Sequence, residues 1–196
     1  MIPFKRRDDP HVLVVGMTGV KMGDRLLQIG CAHGGRLAAI AAKVGLSGQA
    51  SAVVPDEASA ARARKGAADA GVLVEVSVAP MNNLPAASDS IDLAIVDDTG
   101  GLVGGMSVED RVAAFREVRR VLRPGGRTVV LGTAPRGGFG ALLSRAHSGP
   151  GFPTEPTLKA EGFTSVRLLA EREGLRFWEG IKPRATLEAG QAGEPG

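Results

Sequence analysis

Leu26-Leu27-Gln28-Ile29-Gly30-Cys31-Ala32-His33-Gly34-Gly35-Arg36-Leu37-Ala38 reads as a short strand, a turn of small residues and the start of an alanine-rich helix. Leu26 to Gly30 is a nearly continuous apolar run, as in a strand covered on both faces of a parallel sheet. Gly30, Ala32 and Gly34 alternate through the turn. Small side chains there permit unusual backbone angles and a close approach of a ligand. A tight strand-to-helix connection needs the same residues, so the turn alone leaves both readings open.

Downstream the pattern repeats. Gly35 to Val44 reads as a helix closed by Gly45, Ala50 to Val54 as a second strand, and Pro55 to Ala70 as a second helix ended by Gly71. Val72 to Val78 and Ile91 to Val96 read as the third and fourth strands. Val108 to Leu122 is a helix with Val108, Val112, Phe115, Val118 and Leu122 on one face, stopped by Pro124-Gly125-Gly126. Arg127 to Gly132 is the fifth strand, and 137–147 a short helix. Ser148 to Pro156 is a loop, followed by a helical turn over Thr157 to Glu161. Phe163 to Glu171 and Leu175 to Ile181 then pair across Glu173-Gly174 as a hairpin. Upstream, His11 to Val20 fits either a helix or a strand. Strands alternating with helices imply a parallel sheet with helices on both faces, and the closing hairpin adds an antiparallel edge.

Residues 1–10 read as a loose N-terminus, 11–183 as one domain, and 184–196 as a small, polar tail expected to be disordered. At 196 residues the chain is long enough for one sizeable core. No apolar run approaches the ~20 residues that span a bilayer. The N-terminus shows no signal-peptide pattern, so the expected location is cytoplasmic. A single cysteine, Cys31, excludes an intramolecular disulfide and a zinc site of several thiolates, and no metal is expected. Net charge is +3, with both signs interspersed. With one Trp and no Tyr, the chain is poorly equipped to stack nucleic-acid bases.

Ligands of open parallel sheets bind at the carboxyl ends of the strands. Those ends are Gly30 to Gly34, Val54 to Asp56, Ala79 to Asn83, Asp97 to Gly101 and Gly132 to Arg136, which should meet in one crevice.

Asp24-Arg-Leu-Leu-Gln-Ile-Gly-Cys-Ala-His-Gly34, Asn83-Leu-Pro-Ala-Ala-Ser-Asp-Ser-Ile-Asp-Leu93 and Glu117-Val-Arg-Arg-Val-Leu-Arg-Pro-Gly-Gly-Arg127 occur in an order that is similar to one family. Residues 24–182 resemble the class I S-adenosylmethionine-dependent methyltransferases, and most of all the small-molecule group related to ubiquinone and menaquinone biosynthesis methyltransferases. The resemblance implies a Rossmann-like, mostly parallel α/β sheet with helices on both faces and a C-terminal antiparallel hairpin. It implies S-adenosylmethionine as cofactor, held by Gln28, Gly30, Cys31, Ala32, Gly34, Val54, Pro55, Asp56, Met81, Asn82 and Asp97. Asp97 and Asp98 lie where the family faces the acceptor, and either could orient it or take its proton. His33 could also contact cofactor or acceptor. Cys31 reads as a small buried residue, Asp92 as structural, and His147 gives a weak hint of an acceptor-side lid.

The chain departs from the family at three contacts. An acid usually stands where Gln28 is, another acid clamps the ribose hydroxyls where Val54 is, and a third faces the adenine near Ala79 or Pro80. Asp56, two residues past Val54, either reaches the ribose or caps the following helix. Three functional readings follow. The first is methyl transfer to a small molecule. The second is a catalytically inactive, methyltransferase-like binding or scaffold protein. The third, from Gly30-x-Ala32-x-x-Gly35, is a nicotinamide-dependent oxidoreductase.

Overall fold

The computed structural model of the chain describes residues 10–134 and 152–184. Strands β1 (Arg25–Ile29), β2 (Gln49–Val54), β3 (Glu75–Val78), β4 (Ile91–Asp97) and β5 (Leu122–Thr133) are parallel. β6 (Thr164–Arg172) and β7 (Leu175–Ile181) form the closing hairpin, and β7 pairs antiparallel with β5. The order across the sheet is β3-β2-β1-β4-β5-β7-β6. The direction of winding reverses between β1 and β4, and a crevice opens at such a point.

Helices cover both faces. α1 (Val12–Thr18), α2 (Gly34–Ala41) and α3 (Glu57–Asp69) lie on one side, and α4 (Val108–Val121) and α5 (Thr154–Ala160) on the other. The strand period of two divides the apolar residues accordingly. Leu26, Leu93 and Ile95 pack with Ile40 of α2, whereas Leu27, Ile29 and Val96 pack with Phe115 and Val118 of α4.

Several boundaries differ from the sequence expectation. The ambiguous stretch after His11 is helix α1, with Val14 and Thr18 buried beneath it. β3 begins at Glu75 rather than Val72, because the Val72 and Gly71 N–H groups close the end of α3 on the Ala67 and Ala68 carbonyls. Asp56, rather than Pro55, begins α3, as its N-cap. Pro124-Gly125-Gly126 ends α4 but lies inside an irregular β5, where the register jumps from Ile91↔Leu122 to Leu93↔Arg127. α5 starts at Thr154 and takes in Pro156, which the first helical turn tolerates. Val108, expected on the buried face, is exposed at the start of α4. The hairpin turns at Glu173 (φ 53°) and Gly174 (φ 73°), two left-handed residues that match the twist of the strands. The expected loose N-terminus, the disordered tail and the 137–147 helix lie outside the described residues, apart from the residues at their inner edges.

No helix among the described residues is long and apolar enough to cross a membrane. At the end of β4 away from the crevice, Asp92 accepts hydrogen bonds from Arg25 and Arg123 and joins β1 to β5. Burial pushes its carboxylate up, but those hydrogen bonds outweigh burial and hold it well below the usual range. This confirms a structural role.

The start of α2 crosses α3 at a glycine contact. A Cβ at Gly34 would fall 2.3 Å from the Arg62 carbonyl oxygen, and one at Gly66 would fall 2.3 Å from the Gly34 carbonyl carbon. Gly→Ala inside a helix ordinarily stabilises by roughly 1 kcal/mol. Gly66→Ala should instead destabilise by about 1–3 kcal/mol, the cost of overpacking, as read by urea denaturation.

Candidate functional site

Gly30 leaves β1 at φ 80°, and its N–H donates to the Val53 carbonyl. A Cβ here would lie 2.8 Å from the Asp97 carbonyl oxygen and 2.9 Å from Leu102 Cδ2. Both the dihedral angle and the space require glycine. Gln28 is fully buried, and its Nε2 donates to the Gly30 carbonyl at 3.0 Å. A carboxylate at this position could not make that donation.

Asp97 ties the turn to the end of β4. It is buried; its Oδ2 accepts from the Ala32 N–H at 3.2 Å, and its Oδ1 accepts from the Thr99 hydroxyl at 2.6 Å and Arg36 Nη1 at 3.3 Å. Arg62 of α3 donates to the Cys31 carbonyl at 2.7 Å. Cys31 is buried, and burial, with Asp97 nearby, pushes its thiol up to about 11, so it stays protonated and inert.

Asp98, the next residue, folds the loop after β4. Its Oδ1 accepts from the Val103 N–H at 2.6 Å and the Gly104 N–H at 3.2 Å. The loop carries Leu102 over the Gly30 turn. Burial raises the Asp98 carboxyl above its usual range, although the two N–H groups draw it back.

Three cavities follow one another along the carboxyl ends of the strands. One, of about 380 Å³, lies between Gly30, Cys31, Ala32, Asp97, Pro55 and Asp56. It shares Pro55 and Leu102 with a second, of about 450 Å³, walled by Val78, Pro80, Met81, Asn82 and Met106. The third lies beyond Gly100 and contains Asp98, Phe152, Arg176 and Trp178. The second wall belongs to the crossover from β3 to β4, which has no helix of its own. α4 holds that crossover instead: Glu117 accepts from the Leu84 N–H at 3.0 Å, and Arg120 donates to the Leu84 and Ala86 carbonyls at 3.1 and 2.9 Å.

The expected site residues divide into two groups. Gly30, Cys31, Ala32, Pro55, Asp56, Met81, Asn82, Asp97 and Asp98 line this crevice. Gln28, Gly34, Val54 and His33 do not. Gln28 lies beneath the turn and Gly34 faces α3. Val54 packs with Leu37, Ala60 and Ala63 in the core, because the next exposed position after β2 is Pro55. His33 caps α2 by accepting from the Arg36 N–H at 3.3 Å, with its ring edge-on to His11. Asp56 accepts from the Ser59 N–H at 2.7 Å, so it caps α3 and still borders the cavity. His147 lies outside the described residues. Leu102, Met106, Arg62, Arg176 and Trp178 had no sequence signal beyond the glycine-rich run 100–105, since strand pairing and loop folding bring them in.

The Asp98 environment has a measurable consequence. A carboxyl whose folded value lies above its unfolded value binds protons more tightly when folded. Stability is then lost as pH rises from the ordinary carboxylate range through the raised value. Asp98→Asn keeps an Oδ1 acceptor and removes the buried charge. Its thermal midpoint should exceed that of the parent at pH 8, and the gain should shrink at pH 4.

The sequence and the fold are similar to those of proteins of known family. Residues 26–126 match the methyltransferase-domain family. An uncharacterised protein of Mycobacterium tuberculosis is 30% identical over 149 residues, covering 76% of this chain and 50% of that protein. Methyltransferase GfsG of Streptomyces halstedii is 29% identical over 161 residues, covering 82% of this chain and 55% of GfsG. The chain therefore spans about half the length of the curated relatives it matches. A solved S-adenosylmethionine-dependent methyltransferase from Aquifex aeolicus shares the fold, with a TM-score of 0.68 and 18% identity over 87% of this chain and 88% of that one. With the family match over residues 26–126 and the glycine turn on the crevice wall, the chain belongs to the methyltransferase-domain family, whose cofactor is S-adenosylmethionine.

Proposed function

We propose that the chain transfers a methyl group from S-adenosylmethionine to a small-molecule acceptor, as in the group related to ubiquinone and menaquinone biosynthesis. The observation that carries this reading is the continuous crevice, with a nucleoside-sized lobe on one side of Gly30 and a carboxylate-bearing lobe on the other. The residues present fit the cofactor. The apolar wall of Val78, Pro80, Met81 and Met106 suits a flat base, with Asn82 as a polar partner. Gly30, Cys31 and Ala32 present backbone, and Asp56 is the carboxylate nearest the ribose contact that Val54 cannot make.

Bound there, the cofactor supplies a methyl group already activated on a sulfonium. The protein's task is alignment and exclusion of water, and a strong base is optional. Asp97 is committed to holding the turn, so its part is to position the crevice. Asp98 borders the acceptor lobe and takes the acceptor's proton. Its pKa, raised by burial, makes it a better base than an ordinary carboxylate.

One observation favours the second reading, a binding protein without catalysis. Val54 faces the core where the family clamps the ribose, and two lost hydrogen bonds to a charged group are worth about 1.5–3 kcal/mol each.

Calorimetric titration with S-adenosylmethionine and its demethylated product separates these readings from loss of the site. Both ligands should bind, and Gly30→Arg should abolish binding. No heat at millimolar ligand would sink the enzyme reading. Asp56→Ser keeps a capping oxygen and withdraws the carboxylate. It should weaken binding roughly tenfold with thermal stability unchanged; an unaltered affinity would leave Asp56 as a cap alone.

A further inference from the structure

The third cavity is built by two cross-strand pairs of the β5–β7 ladder, Val130↔Trp178 and Gly132↔Arg176. Opposite residues of antiparallel strands share a face, so all four positions point the same way. The floor thus presents an indole, then a gap where Gly132 has no side chain, beside a guanidinium. A Cβ at Gly132 would meet no heavy atom of the described residues within 4 Å. Trp178 and Arg176 are two residues apart on β7, a rise of about 7 Å.

Phe152 forms a second aromatic wall. It is held in place by Phe115, with ring centroids 5.7 Å apart, and by the Arg111 guanidinium 5.4 Å from its centroid. The chain has one tryptophan and six phenylalanines, and the tryptophan faces this cavity. At the inner end stands Asp98, whose Oδ1 is engaged by the Val103 and Gly104 N–H groups and whose Oδ2 accepts no hydrogen bond from the described residues. At the outer end Glu171 holds Arg176 through Nε and Nη2, at 2.9 and 2.7 Å, and Nη1 has no partner among the described residues. The volume, about 260 Å³, suits one ring rather than a fused system.

We propose that this cavity binds a one-ring aromatic hydroxy acid, its ring between Trp178 and Phe152, its carboxylate on Arg176 and its hydroxyl on Asp98. The assignment of this ligand as the methyl acceptor rests on the methyltransferase reading above; the binding site itself does not. Aromatic rings stack on the walls in offset or edge-on geometry. The guanidinium prefers a planar carboxylate, and the buried carboxylate needs a donor. A phenolic acid offers both groups at opposite ends of a ring.

The only tryptophan makes the test direct. The full chain is titrated with 4-hydroxybenzoate while Trp178 fluorescence is followed, with phenol and cyclohexanecarboxylate as comparators. 4-Hydroxybenzoate should quench saturably, phenol more weakly, and cyclohexanecarboxylate least. Arg176→Gln should weaken 4-hydroxybenzoate roughly tenfold and leave phenol unchanged. Gly132→Leu should abolish the quenching while the heat of S-adenosylmethionine binding persists, which shows that the variant is folded. No saturable quenching at millimolar 4-hydroxybenzoate, equal binding of cyclohexanecarboxylate, or indifference to Gly132→Leu would overturn the proposal. If S-adenosylmethionine gives no heat but 4-hydroxybenzoate binds as described, the cavity assignment stands and the methyltransferase reading falls. If S-adenosylmethionine binds and 4-hydroxybenzoate does not, the reverse holds.

Discussion

One buried carboxylate holds the working end of this molecule together. Asp97 accepts from the backbone of the first turn, from Arg36 of α2 and from Thr99 of the loop after β4. A charge so deeply buried is tolerated only when its oxygens are satisfied, and here the donors come from three separate segments. The geometry of the turn therefore depends on the end of β4, and the glycine at position 30 is required because the Asp97 carbonyl leaves no room for a Cβ. Gln28 from below and Arg62 from α3 complete the frame, each occupying one carbonyl of the turn.

The adjacent residue does the opposite kind of work. Asp98 keeps one oxygen for loop backbone and borders the third cavity, in a place where burial raises its affinity for a proton. Two neighbouring carboxylates at one strand end thus have different tasks, set by their surroundings. Asp97 is neutralised by an arginine and is part of the frame. Asp98 has only backbone N–H donors on its engaged oxygen among the described residues.

A chain with no helix between β3 and β4 still has a defined wall for its second cavity. The crossover carrying Pro80, Met81 and Asn82 is fastened to α4 by Glu117 and Arg120. Those two residues belong to the Glu117–Arg127 segment that carries the family likeness. The structure thus gives that likeness a physical purpose: the segment both ends a helix and holds one wall of the crevice in place.

Much of this was legible in the sequence. Apolar runs of strand length, helices stopped by glycine and proline, and a two-residue turn at Glu173-Gly174 determined the alternation of elements and the closing hairpin, because these signals are local and depend on dihedral preference and period. The same local logic put Gly30, Asp97 and Asp98 at strand ends. Only the tertiary structure decided which side chains those ends present. Val54 turns into the core against Leu37 of α2 and Gly34 meets Gly66 of α3, both claimed by contacts distant in sequence, while His33 becomes the cap of α2. Trp178, Arg176 and Gly132 become one cavity floor only through the register of β5 with β7. Composition and spacing cannot state that register, because it is set by pairing between segments that are far apart along the chain.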